Sequence, residues 1–133
     1  MEWMLLPIKR YADFSGRSRR KEYWMFVLLT VLIAIVFGTL ALIGAFVGTD
    51  NIAETGPGAG FFLALLAWLL VSLALLVPSI AVQVRRFHDQ GRSGWFCLLN
   101  LIPSVGGIIV LVFMCMEGEQ GDNAWGPDPK RLA

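Results

Sequence analysis

The chain has 133 residues, enough for one domain, and its 11 Lys and Arg nearly balance its 10 Asp and Glu. Hydrophobic residues make up 56% and charged residues only 16%, against about 25% charged in ordinary soluble domains. Three runs without any charge cover 23–49, 55–84 and 93–116. Each run is longer than the about 20 residues that a membrane-spanning helix needs. This pattern excludes an ordinary soluble domain and predicts an all-α integral membrane domain, a small bundle of three hydrophobic helices.

The N-terminal segment, residues 1–22, combines a short apolar stretch with basic residues. The stretch from Trp3 to Ile8 is too short for a cleaved signal peptide, contains Pro7 and precedes the basic residues. We expect it to lie at headgroup depth as a short interfacial segment. A disordered tail is the alternative.

Span 1 is predicted at 23–47, and its small residues recur every three or four positions, which places them on one helix face. Small residues let helix backbones approach closely in lipid. We therefore expect this face to pack on span 2, predicted at 61–84, with a contact between copies of the chain as the alternative. The helix-packing residues are Ala34, Gly38, Ala41, Ala45 and Gly48.

The Lys and Arg residues of the connecting segments predict the orientation in the membrane. Segment 1–22 and the hinge at 85–94 are basic, so both are predicted to be cytoplasmic. The connection at 48–60 has no Lys or Arg and is predicted to be external. Three complete spans would then place the polar tail, 117–133, outside.

The third apolar segment, 95–116, contains two kinds of helix-breaking residue. Pro103 removes a helix hydrogen bond, and Gly106 and Gly107 follow it closely. A span 3 kinked at Pro103 is the interpretation we favour. A re-entrant segment, which would return the tail to the cytoplasm, is the alternative, and its exposed backbone would need cover from protein or water.

Three polar motifs frame the apolar runs. They are FSGRSRRKEYW at 14–24, VRRFHDQGRSGW at 84–95 and a tail motif rich in Gly, Asp and Pro that ends at Pro129. Together, in this order, they resemble the bacterial membrane family catalogued as domain of unknown function 805. The resemblance implies a bacterial inner-membrane location and no particular activity. It also groups the motifs, and if they form one site the tail belongs on the cytoplasmic side.

The hinge allows two functional interpretations beside a purely topological one. The first is an anion or lipid-headgroup site, since arginines bind phosphate through charge-assisted bonds. The second is a functional acid–base pair of His88 and Asp89, because histidine titrates near neutral pH. No nucleophile beside a base and no metal or nucleotide motif occurs, so no catalytic residue, metal or cofactor is predicted. The predicted anion-binding residues are Arg85, Arg86, Arg92, Arg17 and Arg19.

The function predicted from these features is that of a non-enzymatic scaffold or accessory protein in the bacterial inner membrane. Its basic cytoplasmic face would bind anionic phospholipid or a partner, either another copy of the chain or another membrane protein. No nucleic-acid partner is expected. A subunit of a small oligomeric transporter or channel is the alternative, and an enzyme acting on lipid headgroups is third.

Overall fold

The computed structural model describes residues 2–47 and 56–131. The chain divides into two compact units, the first made of Met1–Val27 and Val77–Ala133 and the second of Leu28–Leu76. The described part is helical and contains no β-strand, which confirms the predicted all-α fold. Its elements are α1 (Glu2–Lys9), α2 (Arg20–Phe46), α3 (Ala59–Asp89), a 3-10 helix (Gly94–Leu101) and α4 (Gly106–Cys115).

Helices α2 and α3 are both long and apolar enough to cross a membrane. They contain 27 and 31 residues, and about 20 residues suffice for the hydrocarbon core. The helices predicted at 23–47 and 61–84 are therefore present. Helix α3 continues past residue 84 to Asp89, so the first half of the predicted hinge is helical. Residues 48–55, most of the predicted external loop, lie outside the described residues.

The N-terminal segment forms an ordered helix, α1, rather than the disordered tail considered as the alternative. The ring of Trp3 lies under two basic side chains, Arg19 just before α2 and Lys21 in its first turn. The Arg19 guanidinium carbon is 5.7 Å and the Lys21 Nζ 5.5 Å from its centroid. These cation–π contacts attach α1 to the first polar motif.

The third apolar segment folds back on itself. Phe96, near the start of the 3-10 helix, and Phe113, near the end of α4, have ring centroids 6.2 Å apart. One continuous helix through 95–116 would separate these residues by about 26 Å. The third segment is therefore folded back at the turn, and the prediction of a kinked continuous helix is wrong. The turn follows Pro103, and a side chain at Gly106 would collide with the carbonyl oxygen of Leu99.

In the second unit, α2 and α3 approach each other backbone to backbone at two glycines. A Cβ atom built on Gly44 would lie 2.5 Å from the carbonyl carbon of Gly60. The backbone N–H of Gly58 also donates to the carbonyl of Ala45 at 3.3 Å. Only a residue without a side chain fits such an approach, so these glycines define where the two helices meet.

The predicted small-residue stripe of α2 lies partly at this contact between helices. Ala41 is buried, whereas Gly38 is exposed and a Cβ atom built on it would meet nothing within 4 Å. Gly48 lies outside the described residues. The stripe and α3 together enclose a cavity of about 180 Å³ lined by Ala34, Phe37, Gly38, Ala41, Leu65 and Trp68.

Candidate functional site

Two buried arginines share the carboxylate of Asp89. Arg17 Nε donates to Asp89 Oδ1 at 3.0 Å, and Arg86 Nη1 donates to Asp89 Oδ2. The side chains of Arg17, Arg86 and Asp89 are only 1%, 0% and 7% exposed. Arg86 Nη2 donates to the carbonyl of Met116, while its buried Nε has no hydrogen-bond partner among the described residues. This buried ionic cluster therefore holds two positive charges against one negative charge.

A second ion pair joins the end of α3 to the first motif. The fully buried Arg85 donates through Nη2 to Glu22 Oε1 at 2.9 Å and through Nε to Ser18 Oγ at 3.0 Å. Its Nη1 donates to the carbonyl of Asp13 at 2.6 Å. Sequence reasoning missed Glu22, although it is the only acid within the first motif and so the natural counter-ion for a buried arginine there.

Backbone carbonyls of the polar tail complete the arrangement. Arg17 donates to the carbonyls of Glu119 and Gly121, both at 2.6 Å, and Arg19 Nε donates to the carbonyl of Pro129 at 2.8 Å. Gly118 packs directly on Asp89, since any side chain there would collide with the Asp89 carboxylate. The three polar motifs thus meet in one place within the first unit.

His88 and Asp89 face different surroundings. The His88 Nδ1 lies 3.1 Å from the carbonyl oxygen of Gly16, and the imidazole stacks on the Trp125 indole with centroids 3.8 Å apart and planes 3° from parallel. Asp89 instead binds the arginines. No hydrogen bond joins His88 to Asp89 in the described part of the chain, so the acid–base pair stays a prediction without a shared reaction site.

The five arginines predicted to bind an anion are not gathered around one opening. Arg85, Arg86 and Arg17 are buried in the pairs described above. Arg92 lies over the ring of Phe113, with its guanidinium carbon 4.5 Å from the centroid. Of these five, Arg19 and Arg86 line a common pocket.

That pocket, here termed the basic pocket, has a volume of about 300 Å³ and lies beside the ionic cluster. Five of its lining side chains are cationic and one is a carboxylate. Arg20 is paired with the exposed Glu117, but the ammonium group of Lys130 has no ion-pair partner among the described residues. The lining residues are Arg19, Arg20, Lys21, Arg86, Asp89, Gly118, Pro129 and Lys130.

Two carboxylates in the polar segments are held as anions by local hydrogen bonds. The Ser15 hydroxyl, followed by the Arg10 guanidinium, lowers the pKa of Asp13 to about 2. The backbone N–H groups of Lys130 and Gly121 lower the pKa of Asp128. These hydrogen bonds stabilise the charged forms of the two carboxylates and so fix the turns before α2 and in the tail at neutral pH.

Two long apolar helices, a folded-back apolar segment and a polar assembly of three motifs define a small α-helical membrane protein. More particularly, the chain belongs to the family described as "Protein of unknown function (DUF805)", which it matches over residues 11–127. The family predicted from the motifs is therefore confirmed.

The similar proteins include two from Escherichia coli strain K12 that are named for a membrane. "Inner membrane protein YhaH" is 42% identical over 98% of this chain and 98% of its own length. "Inner membrane protein YhaI" is 39% identical over 98% of this chain and 97% of its own length. "Uncharacterized protein YiiR", from the same strain, is 27% identical over 87% of this chain and 85% of its own length. No solved structure matches the chain, and neither the family description nor these names state an enzymatic activity.

Proposed function

We propose that the chain is a non-catalytic, multi-pass protein of the bacterial inner membrane whose basic pocket binds the headgroup of an anionic phospholipid. The inner-membrane location is supported by the names of the two relatives at 42% and 39% identity and by two helices of sufficient length. The headgroup site is supported by a single observation, a pocket lined by five cationic side chains and one carboxylate.

The charges of the basic pocket suit a phosphodiester. Asp89 neutralises only part of the positive charge, since Arg17 and Arg86 both bind it. Lys21 and Lys130 supply two further ammonium donors, and Trp3 lies beside Lys21 as an aromatic residue suited to the interface. A volume of about 300 Å³ accommodates a glycerophosphate headgroup while the acyl chains remain in the bilayer.

The pocket predicts a selective loss of lipid binding when its lysines are neutralised. The double variant Lys21→Gln/Lys130→Gln should bind phosphatidylglycerol about 30-fold more weakly than the parent, because each basic residue near the surface contributes about 1 kcal/mol. Native mass spectrometry of the protein in detergent, titrated with phosphatidylglycerol, measures the dissociation constant.

The matched control is Lys9→Gln/Arg131→Gln, which removes the same charge from positions that do not line the pocket. Its affinity for phosphatidylglycerol should stay within a few-fold of the parent. Phosphatidylcholine, which has no net charge, should bind weakly to all three proteins. If both double variants lose affinity equally, only net charge matters and the basic pocket is not the site.

The proposed orientation places both termini in the cytoplasm. Arg17 and Arg19 bind the tail carbonyls directly, so the tail belongs on the side of the basic N-terminal segment, which positive-inside placement assigns to the cytoplasm. Helix α4, with 10 residues, covers only about 15 Å of an about 30 Å core, which favours a re-entrant segment.

A C-terminal reporter tests this orientation. A green fluorescent protein fused after residue 133 should fluoresce, and an alkaline phosphatase fused there should be inactive, because only the first matures in the cytoplasm. An active phosphatase at the C-terminus would instead establish three complete spans.

The transporter or channel subunit and the lipid-headgroup enzyme stay predictions. The separation of His88 from Asp89 gives the enzyme no geometric support. We therefore propose the accessory role rather than either of these two functions.

A further inference from the structure

A larger cavity, of about 460 Å³, is lined in part by His88 and shares no lining residue with the basic pocket. Its walls come from all three polar motifs and from the start of the 3-10 helix. They are mainly apolar, and the aromatic side chains Phe14, Trp95 and Trp125 contribute to them. A cavity of this size and character is typical of sites for small organic molecules.

One nitrogen of His88 is available to a ligand in this cavity. Because the carbonyl oxygen of Gly16 can only accept, the His88 Nδ1 that lies 3.1 Å away carries a proton. In the neutral imidazole, Nε2 is then an acceptor. A Cβ atom on Gly94, which also lines the cavity, would lie 3.2 Å from Nε2, so the missing side chain leaves space in front of this atom. No described residue donates a hydrogen bond to Nε2.

The imidazole is also held in place. Its stacking on Trp125 fixes the ring plane, and His88 is only 6% exposed. Nε2 is not one of the buried side-chain atoms that lack a partner, so it is open enough to accept a hydrogen bond from a ligand with one donor. No cationic side chain lines this cavity, so an anion is not its natural occupant.

We propose that this cavity binds a neutral aromatic alcohol whose hydroxyl group donates to His88 Nε2 and whose ring packs against Trp95 and Trp125. The flat walls suit an aromatic ring, and the single acceptor suits a single hydroxyl donor. A free phenol and the ring of a phenolic lipid share this chemistry. The inference does not depend on lipid binding at the basic pocket.

The only histidine of the chain makes a direct test simple. Protein labelled with ¹⁵N-histidine in detergent is titrated with naphthol and, separately, with methoxynaphthalene, at a pH well above the ordinary histidine pKa of about 6.5. Naphthol should shift the Nε2 resonance and leave Nδ1 protonated. Free probe concentrations, measured in each sample, remove the effect of partition into micelles.

The ether replaces the hydroxyl hydrogen by a methyl group and so lacks the donor, and naphthol should therefore bind about tenfold more tightly, the worth of one hydrogen bond. Tighter binding of dodecylphenol than of naphthol would support the site with a lipid-borne ring as its source, and the reverse would support it with a free phenol. Equal affinity of naphthol and its ether with an unmoved Nε2 resonance would overturn the proposal, as would no binding of either.

A variant with little risk to folding adds a second test. Trp95 is 77% exposed, so Trp95→Leu should fold normally while weakening naphthol binding by up to about tenfold. Trp68→Leu, in the second unit, is the matched control and should leave the affinity unchanged. Equal affinities of both variants and the parent would place naphthol outside this cavity.

Discussion

Replacement of Asp89 by Asn should lower the free energy of unfolding by about 3–5 kcal/mol, which is the usual cost of breaking a buried ion pair on one side. The carboxylate is 7% exposed and accepts from two guanidinium groups that are 1% and 0% exposed. An amide of the same shape leaves both positive charges without a counter-ion. Equilibrium unfolding in mixed micelles, followed by circular dichroism, measures the loss.

The control for this variant is Glu117→Gln, which breaks an exposed pair with Arg20. The side chains of Arg20 and Glu117 are 43% and 64% exposed, so the free energy of unfolding should fall by less than about 1 kcal/mol. Adding Arg86→Met to Asp89→Asn should recover part of the stability, because one uncompensated charge is removed. Equal, small effects of Asp89→Asn and Glu117→Gln would mean that water reaches the ionic cluster in solution.

The long helices were predictable because hydrophobic length alone decides them. A run without charge such as 55–84 can bury its backbone polar groups in lipid only by forming a helix. The end of α3 was not predictable in this way. The helix continues to Asp89 because Arg85 donates to the distant Glu22, and Arg86 donates to Asp89 and to the distant carbonyl of Met116.

The path of the third apolar segment could not be predicted from its local sequence. Pro103 permits both a kink and a turn, and the residues next to it do not choose between them. The choice depends on contacts at long range, namely the Phe96–Phe113 ring pair and the packing of Gly118 on Asp89. A single sequence does not reveal such pairs.

The grouping of the three motifs was predictable, whereas the anion-binding role of the arginines stays a prediction. The motifs pointed to the region, but counting Arg17, Arg85 and Arg86 as positive charge at a membrane surface could not reveal that they are buried in ion pairs. Their acids could have been sought from the charge balance of each motif, which points to Glu22. The cavity beside His88 left no comparable signal, since its walls are brought together only by folding.

Gly44→Ala should destabilise the second unit by about 1–3 kcal/mol, although alanine normally favours a helix over glycine. The added Cβ atom would lie 2.5 Å from the carbonyl carbon of Gly60 and 2.8 Å from its oxygen. Both contacts involve backbone, which cannot rotate away as a side chain can, so the two helices must separate. The midpoint of thermal unfolding in detergent reports the change.

Gly38→Ala makes the same chemical change on the same helix at a position where the added atom meets nothing within 4 Å. It should leave stability unchanged or raise it by up to about 1 kcal/mol. The pair also distinguishes the two uses predicted for the small-residue stripe. If the stripe served contact between copies of the chain, Gly38→Ala would weaken the oligomer in cross-linking. Loss of monomer stability in Gly44→Ala alone would assign the close approach to the α2–α3 pair within one chain.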